Sequence, residues 1–165
     1  MKKLAPAFLI LLSFGCSKNE LPSCGLNSVE LTIDNETFCT TSHECLTASW
    51  KTSSPCGNDG KSNKLLIYVI FSDLIIKEID FDPYTTLKLE IKDFVGIGSF
   101  EVFVNKVDRQ GSYLQDRDGN NLIESGTLEV TKLSDGNLSG NAVLDLNING
   151  VTKKAQARLY KVKLD

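Results

Sequence analysis

The chain contains five cysteines and one histidine, the residues whose chemistry is most restricted. Four of the cysteines surround His43 in one segment: Cys24, Cys39, Cys45 and Cys56. His43 with Cys39, Cys45 and Cys56 would supply nitrogen and sulfur ligands of the kind that zinc takes, but no C-x-x-C pair is present. An even set of cysteines favours disulfides in an exported chain. We therefore predict that these four cysteines form disulfides and that the chain has no metal site.

Three pairings of the four cysteines are possible, and strand geometry favours one of them. A two-residue turn at Asn35–Glu36 would put Ile33 opposite Phe38 on the core side, so that Cys39 points outward. In the next segment Leu46, Ala48 and Trp50 alternate inward, so Cys45 also points outward. We therefore predict the pairs Cys39–Cys45 and Cys24–Cys56.

The stretch QDRDGNNLIE offers the oxygen ligands of a calcium loop in Asp116, Asp118, Asn120 and Glu124. An EF-hand loop with Gly119 at its sixth position would begin at Leu114, which has no side-chain oxygen. The run D-G-N is more typical of a hairpin turn. His43 has no nucleophile elbow or other catalytic signature beside it. We predict no catalytic residue and no cofactor.

The first residues have the pattern of an export signal. Lys2 and Lys3 precede an apolar stretch, residues 4–12, that is far shorter than the roughly 20 residues needed to span a bilayer. The sequence LSFGC then resembles the lipobox of bacterial lipoproteins. This resemblance implies that residues 1–15 are a signal peptide, and that Cys16 takes a diacylglyceryl group, becomes the first mature residue and makes the membrane a partner.

The sequence SKNE directly after Cys16 resembles the export signal of Bacteroidetes lipoproteins. That resemblance implies a lipid anchor in the outer membrane, with the cell surface favoured over the periplasmic face. Residues 16–27 are polar, contain Pro22 and Gly25, and are typical of a tether.

Charge and length restrict what the remaining chain does. The whole sequence has 18 basic and 21 acidic side chains, and without residues 1–15 it has 16 basic ones against the same 21. Nucleic acid is not an expected partner, because no basic stripe exists to neutralise phosphates. The 150 residues left suffice for one domain with its own core, and we expect a monomer.

Residues 28–165 are a succession of short runs with period two and no long helical pattern. TLKLEIKDF is typical of a half-buried strand, with Leu87, Leu89 and Ile91 inward. Turns are predicted at Asp118–Gly119, Asp135–Gly136 and Asn149–Gly150, and a β-bulge near Leu159. About eight to ten antiparallel strands predict one all-β domain, as a sandwich or a barrel.

Two segments, LKLEIKDFVGIGSFEV and SGTLEVTKLSDGNLSGNAVLDL, resemble a group of small outer-membrane lipoproteins of the Bacteroidetes. The resemblance implies an all-β, calycin-like fold, and it carries no catalytic residue over to this chain. The function expected is a non-enzymatic binding or structural module for a protein, glycan or small molecule. The alternative is a calycin-like carrier with a small apolar ligand inside a barrel.

Overall fold

The computed structural model describes residues 24–40, 46–51, 63–72, 74, 79, 81, 84–105 and 111–164. The regular structure within these residues is entirely β. Its ten strands are β1 (Ser28–Ile33), β2 (Glu36–Thr40), β3 (Leu46–Lys51), β4 (Lys64–Ser72), β5 (Tyr84–Lys92), β6 (Gly98–Glu101), β7 (Tyr113–Leu114), β8 (Ile123–Ser134), β9 (Asn137–Ile148) and β10 (Val151–Lys163). Across the described ranges, no helix has the length and hydropathy needed to cross a membrane.

The strands form two antiparallel sheets. Sheet A has the order β2-β1-β10-β9-β8-β6, and sheet B has the order β3-β4-β5-β7. The two sheets face one another across a shared hydrophobic core, and the described strands do not close into a barrel. The prediction of an all-β antiparallel domain is confirmed, and the sandwich is the arrangement that these strands adopt.

The core is filled by inward-facing side chains from both sheets. The predicted inward residues of β1 (Val29, Leu31, Ile33) and of β5 (Leu87, Leu89, Ile91) are all at most 1% exposed. Alternate residues of β9 from Leu138 to Ile148 are buried in the same way. Each fully buried aliphatic side chain of this size contributes about 1.5–3 kcal/mol, so the period-two pattern accounts for both the pairing and the packing of the sheets.

Two of the hairpin turns lie where the sequence predicts them. Asp135 and Gly136 have φ of 53° and 69°, and Asn149 and Gly150 have φ of 52° and 82°. These left-handed conformations are those of a type I′ turn, which Asn, Asp and Gly adopt at the least cost. The predicted bulge is also confirmed, because the register of β10 shifts between Leu159 and Val162.

The turn between β1 and β2 lies one residue earlier than predicted. Asp34 and Asn35, with φ of 51° and 66°, form it, because both side chains tolerate left-handed backbone better than glutamate does. The predicted turn at Asn35–Glu36 is wrong, and the pairing of the two strands shifts by two residues. Phe38 lies opposite Leu31, and Cys39 lies opposite Glu30.

This register brings Cys39 close to the segment that precedes β1. The chain turns through Gly25 (φ 83°) and Asn27 (φ 54°), and Cys24 forms a disulfide with Cys39 at a Cα–Cα distance of 5.4 Å. The predicted pairs Cys39–Cys45 and Cys24–Cys56 are therefore wrong, since each cysteine makes one disulfide. Cys45 and Cys56 lie outside the described residues. The last four residues of the predicted tether, 24–27, are joined to the domain by this bond.

Candidate functional site

A cleft of about 920 Å³ lies on the outer face of sheet A, the face opposite the core. We call it the outer cleft. Its floor is formed by side chains from four neighbouring strands: Ser99, Glu101, Thr127, Val143, Asp145 and Lys154. Its wall is the segment Val102–Val104, where the chain leaves β6 and crosses towards sheet B. The volume is in the range of small-molecule sites, about 300–1,000 Å³.

Period-two alternation places these polar side chains on the floor. Leu144 and Leu146 of β9 point into the core, so Val143 and Asp145 point outward. Antiparallel register then puts Ser125 of β8 and Lys154 of β10 on either side of Asp145. One continuous rung therefore carries a hydroxyl, a carboxylate and an ammonium group.

Asp145 is held in its charged form. Ser125 Oγ donates a hydrogen bond of 2.7 Å to Asp145 Oδ2, and Lys154 Nζ forms an ion pair with Oδ1. The hydrogen bond from Lys154, followed by that from Ser125, holds the pKa of Asp145 below its ordinary value of 3.8, and this outweighs the opposing effect of burial. The cleft therefore presents a fixed acceptor at neutral pH.

Glu124 lies beside this rung in an arrangement of the same kind. Asn147 Nδ2 donates a 3.0 Å hydrogen bond to Glu124 Oε1, and Thr152 Oγ1 lies 3.5 Å from Oε2. Both partners come from the β9–β10 hairpin, in which β9 ends just before the Asn149–Gly150 turn and β10 begins just after it. The turn therefore fixes a second carboxylate at the same side of the cleft.

The polar surface continues beyond the outer cleft. A smaller depression of about 250 Å³ shares Val143 with it and is lined by Glu30, Thr32, Asn141, Gln156 and Arg158, among others. Arg158 Nη1 lies 4.0 Å from Glu30 Oε1 across the β1–β10 pair. The outer face of sheet A thus offers hydroxyl, amide and charged groups in ordered rows.

The wall of the cleft is anchored to sheet B. Phe103 N donates a 2.8 Å hydrogen bond to Glu90 O, and the Lys92 ammonium group lies 3.2 Å from the centroid of the Phe103 ring. The ring face is therefore occupied by a cation of the same chain. The aromatic group stabilises the wall and is not an open stacking platform for a ligand.

A charged cluster lies on the outer face of sheet B. Glu90 Oε1 and Oε2 lie 2.8 Å and 3.1 Å from the ammonium groups of Lys64 and Lys88. The Lys88 ammonium also lies 5.7 Å from the ring centroids of both Tyr68 and Tyr113. These groups satisfy one another, and Lys88 and Glu90 are buried from solvent, so we interpret the cluster as structural and not as a ligand site.

The burial of this cluster corrects the sequence prediction for β5. Glu90 and Lys88 were expected on a wet face, but they are only 5% and 9% exposed. Residues 103 and 111–114 lie along the edge of β5: β7 pairs with Leu87 and Lys88, and Ser112 Oγ accepts a 2.7 Å hydrogen bond from Glu90 N. The rings of Tyr68 and Tyr113, on the two strands next to β5, flank the Lys88 ammonium group. Burial by itself raises the pKa of Glu90, but the hydrogen bonds and charges of Lys64 and Lys88 hold it below 4.5.

The acidic stretch considered for calcium forms a hairpin turn. Asp116 Oδ1 and Oδ2 accept hydrogen bonds of 2.8 Å and 2.9 Å from the backbone and side-chain amides of Asn120. Glu124 is directed towards Asn147 instead. Within the described residues, no group of three or more Asp, Glu, His or Cys side chains is arranged to hold a metal ion. Cys16 and His43 lie outside them.

The outer cleft was not predicted from the sequence. Its signal is present in the outward positions of SGTL, AVLDL and KKAQARL, which alternate with the core residues. That alternation shows which side chains face outward. It does not show that β8, β9 and β10 are adjacent, so it could not assemble Ser125, Asp145 and Lys154 into one rung.

Comparison of the chain with protein-family models, with curated proteins and with solved structures finds no match.

Proposed function

We propose that the protein is a lipid-anchored lipoprotein of the outer membrane, displayed at the cell surface, and that it acts as a non-enzymatic binding module. In this proposal the outer cleft holds a polar ligand. The lipobox resemblance of LSFGC supports the anchor on Cys16, and the SKNE sequence supports surface display. The role of binding module rests on the cleft.

The observation that carries the binding proposal is the rung Ser125–Asp145–Lys154. Its three groups hold one another in place, so donors and acceptors are already oriented before a ligand arrives. Such preorganisation reduces the entropy lost on binding. Val143, which is 39% exposed between this rung and the smaller depression, supplies an apolar contact.

The same observations favour a surface module over a carrier. Large side chains of both sheets, such as Leu31, Ile67 and Leu89, fill the space between the sheets and are at most 1% exposed. A carrier needs an apolar interior space of several hundred Å³ for its ligand. The cleft lies on the opposite face and is lined by charged and hydroxyl groups, which suits a polar ligand.

The binding proposal is tested by blocking the cleft. Val143→Arg places a long charged side chain in the cleft, and Val151→Arg makes the same change at a valine that is 57% exposed outside it. Native mass spectrometry of protein purified from its own envelope should show a bound small molecule on the wild type and on Val151→Arg. We expect Val143→Arg to lose it.

Retention of the bound molecule by Val143→Arg, or its absence from all three proteins, would contradict the binding proposal. Circular dichroism of the three proteins provides the control for folding. Both valines are exposed on the surface, so we expect their spectra to agree.

The anchor is tested at Cys16. Cells grown with labelled palmitate should incorporate the label into the wild-type protein and into a Cys24→Ser variant, because Cys24 forms a disulfide and takes no lipid. Cys16→Ser should lose the label completely. Label retained by Cys16→Ser would show that the lipobox interpretation is wrong. Protease treatment of intact cells should digest the wild-type protein, and full protection would place it on the periplasmic face.

A further inference from the structure

Strand register places Cys24, the first residue that the structure describes, at one end of the sandwich. A single rung crosses sheet A through Thr40, Val29, Leu159, Gly140, Val130 and Gly98. On sheet B the corresponding rung is Lys64–Lys92, because residues 93–97 connect β5 directly to β6. We call the part of the domain at or beyond these two rungs the tether end; it comprises residues 24–29, 40, 63–64, 92–98, 130–140 and 159–164.

The tether end exposes large apolar side chains on a fixed loop. Val95 and Ile97 are 72% and 65% exposed at the tip of the β5–β6 loop. Phe94 between β5 and the tip is fully buried, its N–H donates a 3.1 Å hydrogen bond to Asn63 O, and its ring lies 5.0 Å from that of Phe100. The loop is therefore anchored while its tip remains in solvent. Leu26, 61% exposed, lies at the same end.

The charges of the domain are separated between its two ends. Among the described side chains, the tether end has five lysines against two aspartates: Lys64, Lys92, Lys132, Lys161, Lys163, Asp93 and Asp135. Lys64 is paired with Glu90, which leaves four lysines against the two aspartates. The opposite end lies beyond the rung Ile33–Ala155–Leu144–Gly126. Six acidic side chains against three basic ones lie there among the described residues, which are 34–36, 115–125 and 145–154. A chain that is acidic overall thus presents a basic surface at one end.

The length of the chain before the domain keeps this end close to the proposed anchor. Cys24 is fixed to Cys39 at the tether end, and Cys16 precedes it by eight residues. Eight extended residues span at most about 28 Å. A lipid on Cys16 would therefore hold the basic, apolar end within this distance of the bilayer.

We propose that the tether end docks on the anionic surface of the bilayer that holds the lipid anchor. Val95 and Ile97 insert at the level of the headgroups, and the exposed Lys132, Lys161 and Lys163 contact lipid phosphates. This inference rests on the proposed anchor at Cys16. In this orientation the strands of sheet A run away from the membrane surface rather than parallel to it. The acidic end points away from the membrane, and the outer cleft is open to solvent.

A second copy of the chain fits this surface less well. A symmetric contact would bring the same lysines face to face, and like charges opposed across an interface are unfavourable. A phosphate surface instead meets the lysines with opposite charge, and each lysine near such a surface strengthens binding by about fivefold. The exposed Val95–Ile97 tip adds apolar burial of the kind that helps peripheral proteins to bind membranes.

The test measures how deeply the loop tip enters the bilayer. Full protein is purified from its own envelope and reconstituted into vesicles of phosphatidylcholine and phosphatidylglycerol that contain brominated acyl chains. Ile97→Trp places an indole at the tip, and Val151→Trp is the matched control at the opposite end. After subtraction of the Trp50 signal of the parent protein, the emission of Ile97→Trp should be blue-shifted and quenched severalfold more than that of Val151→Trp.

Substitutions then separate the apolar contribution from the charges. In the Ile97→Trp protein, Lys132→Gln with Lys161→Gln should lower the quenching, and so should vesicles of phosphatidylcholine alone. Equal, weak quenching at both tryptophan positions would overturn the proposal, as would stronger quenching of Val151→Trp. A dimer in detergent, measured by light scattering, together with an Ile97→Trp indole that is already shielded from solvent there, would assign this surface to a second copy of the chain. That result would also overturn the proposal.

The mass of the N-terminal peptide of the purified protein distinguishes failure of the anchor from failure of docking. A diacylglyceryl mass on the peptide that begins at Cys16 supports the anchor whatever the quenching shows. If that mass is absent, the anchor proposal fails. The same vesicles are then added to the unlipidated protein, and the quenching of Ile97→Trp still decides whether this end docks.

Discussion

Glu90 shows how one residue on an outward-facing strand position becomes part of the buried structure. Burial of a carboxylate costs free energy unless opposite charges and hydrogen bonds compensate it. Lys64 and Lys88 supply both at distances of 2.8 Å and 3.1 Å. The backbone N–H of Glu90 donates a hydrogen bond to Ser112 Oγ, so the segment at the edge of β5 is joined to the strand that carries the ion cluster.

Replacing this carboxylate should destabilise the fold more than replacing an exposed one. Glu90→Gln leaves Lys88 almost fully buried without its counter-charge, and we expect it to lower the free energy of unfolding by about 2–3 kcal/mol at neutral pH. Glu129→Gln, at an exposed position of sheet A, should change it by less than about 0.5 kcal/mol. Urea denaturation of both variants measures the difference, and equal effects would show that the cluster does not stabilise the protein.

The same residue gives a pH dependence with a definite sign. The folded-state pKa of Glu90 is lowered, so its contribution to stability is fully present above the unfolded value near 4.5 and is lost as the pH falls through the folded value. The stability difference between the wild type and Glu90→Gln should therefore shrink in acid below pH 4.5 and remain constant from there to neutrality.

At the scale of elements, the turn between β1 and β2 decides the disulfide. A turn at Asp34–Asn35 instead of Asn35–Glu36 moves Cys39 from a position opposite Thr32 to one opposite Glu30. Both positions face outward, so alternation alone does not distinguish them. The shift of two residues brings Cys39 towards the start of β1, where the turn through Gly25 and Asn27 delivers Cys24.

Peptide mapping under non-reducing conditions should find Cys24 joined to Cys39, which leaves Cys45 and Cys56 for each other. The bond closes a loop with a sequence separation of 15, for which chain entropy predicts about 3 kcal/mol of stabilisation. The double variant Cys24→Ser, Cys39→Ser should lose about that much in urea denaturation. A peptide that links Cys39 to Cys45 would contradict the structure.

Two glycines allow β8 and β9 to pair closely. They occur in the SGTL and LSG sequences. A Cβ on Gly126 would lie 2.7 Å from Leu144 Cδ2 and 2.8 Å from Val143 O. A Cβ on Gly140 would collide with Glu129 O and lie 3.2 Å from Val130 Cα, next to the register shift between Val130 and Lys132.

We expect Gly140→Ala to lower the free energy of unfolding by at least about 2 kcal/mol, because backbone atoms of β8 would have to move. Gly150→Ala is the matched control: its φ of 82° disfavours alanine, but no atom lies within 4 Å of the added Cβ. The control should cost only about 1 kcal/mol. Thermal denaturation of the two variants measures both, and an equal loss would show that close strand pairing is not the cause.

At the scale of the whole molecule, the sandwich separates two surfaces with different chemistry. The tether end combines lysines with the Val95–Ile97 tip, whereas the outer cleft runs across the face of sheet A and is lined by Asp145 and Lys154. If the tether end lies on the membrane, the cleft stands beside it in the surrounding solvent. The two surfaces adjoin at Lys92 and Asp93, which belong to the tether end and also line the cleft. The rung Ser125–Asp145–Lys154 lies at the other side of the cleft, towards the opposite end of the domain, so it stays accessible when the tether end is docked.

The sequence by itself determined the fold class and most of the local structure. Leu87, Leu89 and Ile91 alternate with polar residues, and only a strand puts them all on one face. Asn149–Gly150 and Asp135–Gly136 favour the left-handed backbone of a tight hairpin. These features depend on neighbouring residues in the chain, so local chemistry is sufficient to predict them.

Only the tertiary structure decided which outward-facing residues meet. Lys88 and Glu90 have the sequence pattern of a wet strand face, but Lys64 and Tyr68 of β4 and Tyr113 of β7 surround them once the strands are paired. The rung Ser125–Asp145–Lys154 requires β8, β9 and β10 to be in register, and Cys24 meets Cys39 only with a particular turn. Alternation determines the face on which a side chain lies, whereas strand order and register depend on contacts between residues far apart in the sequence.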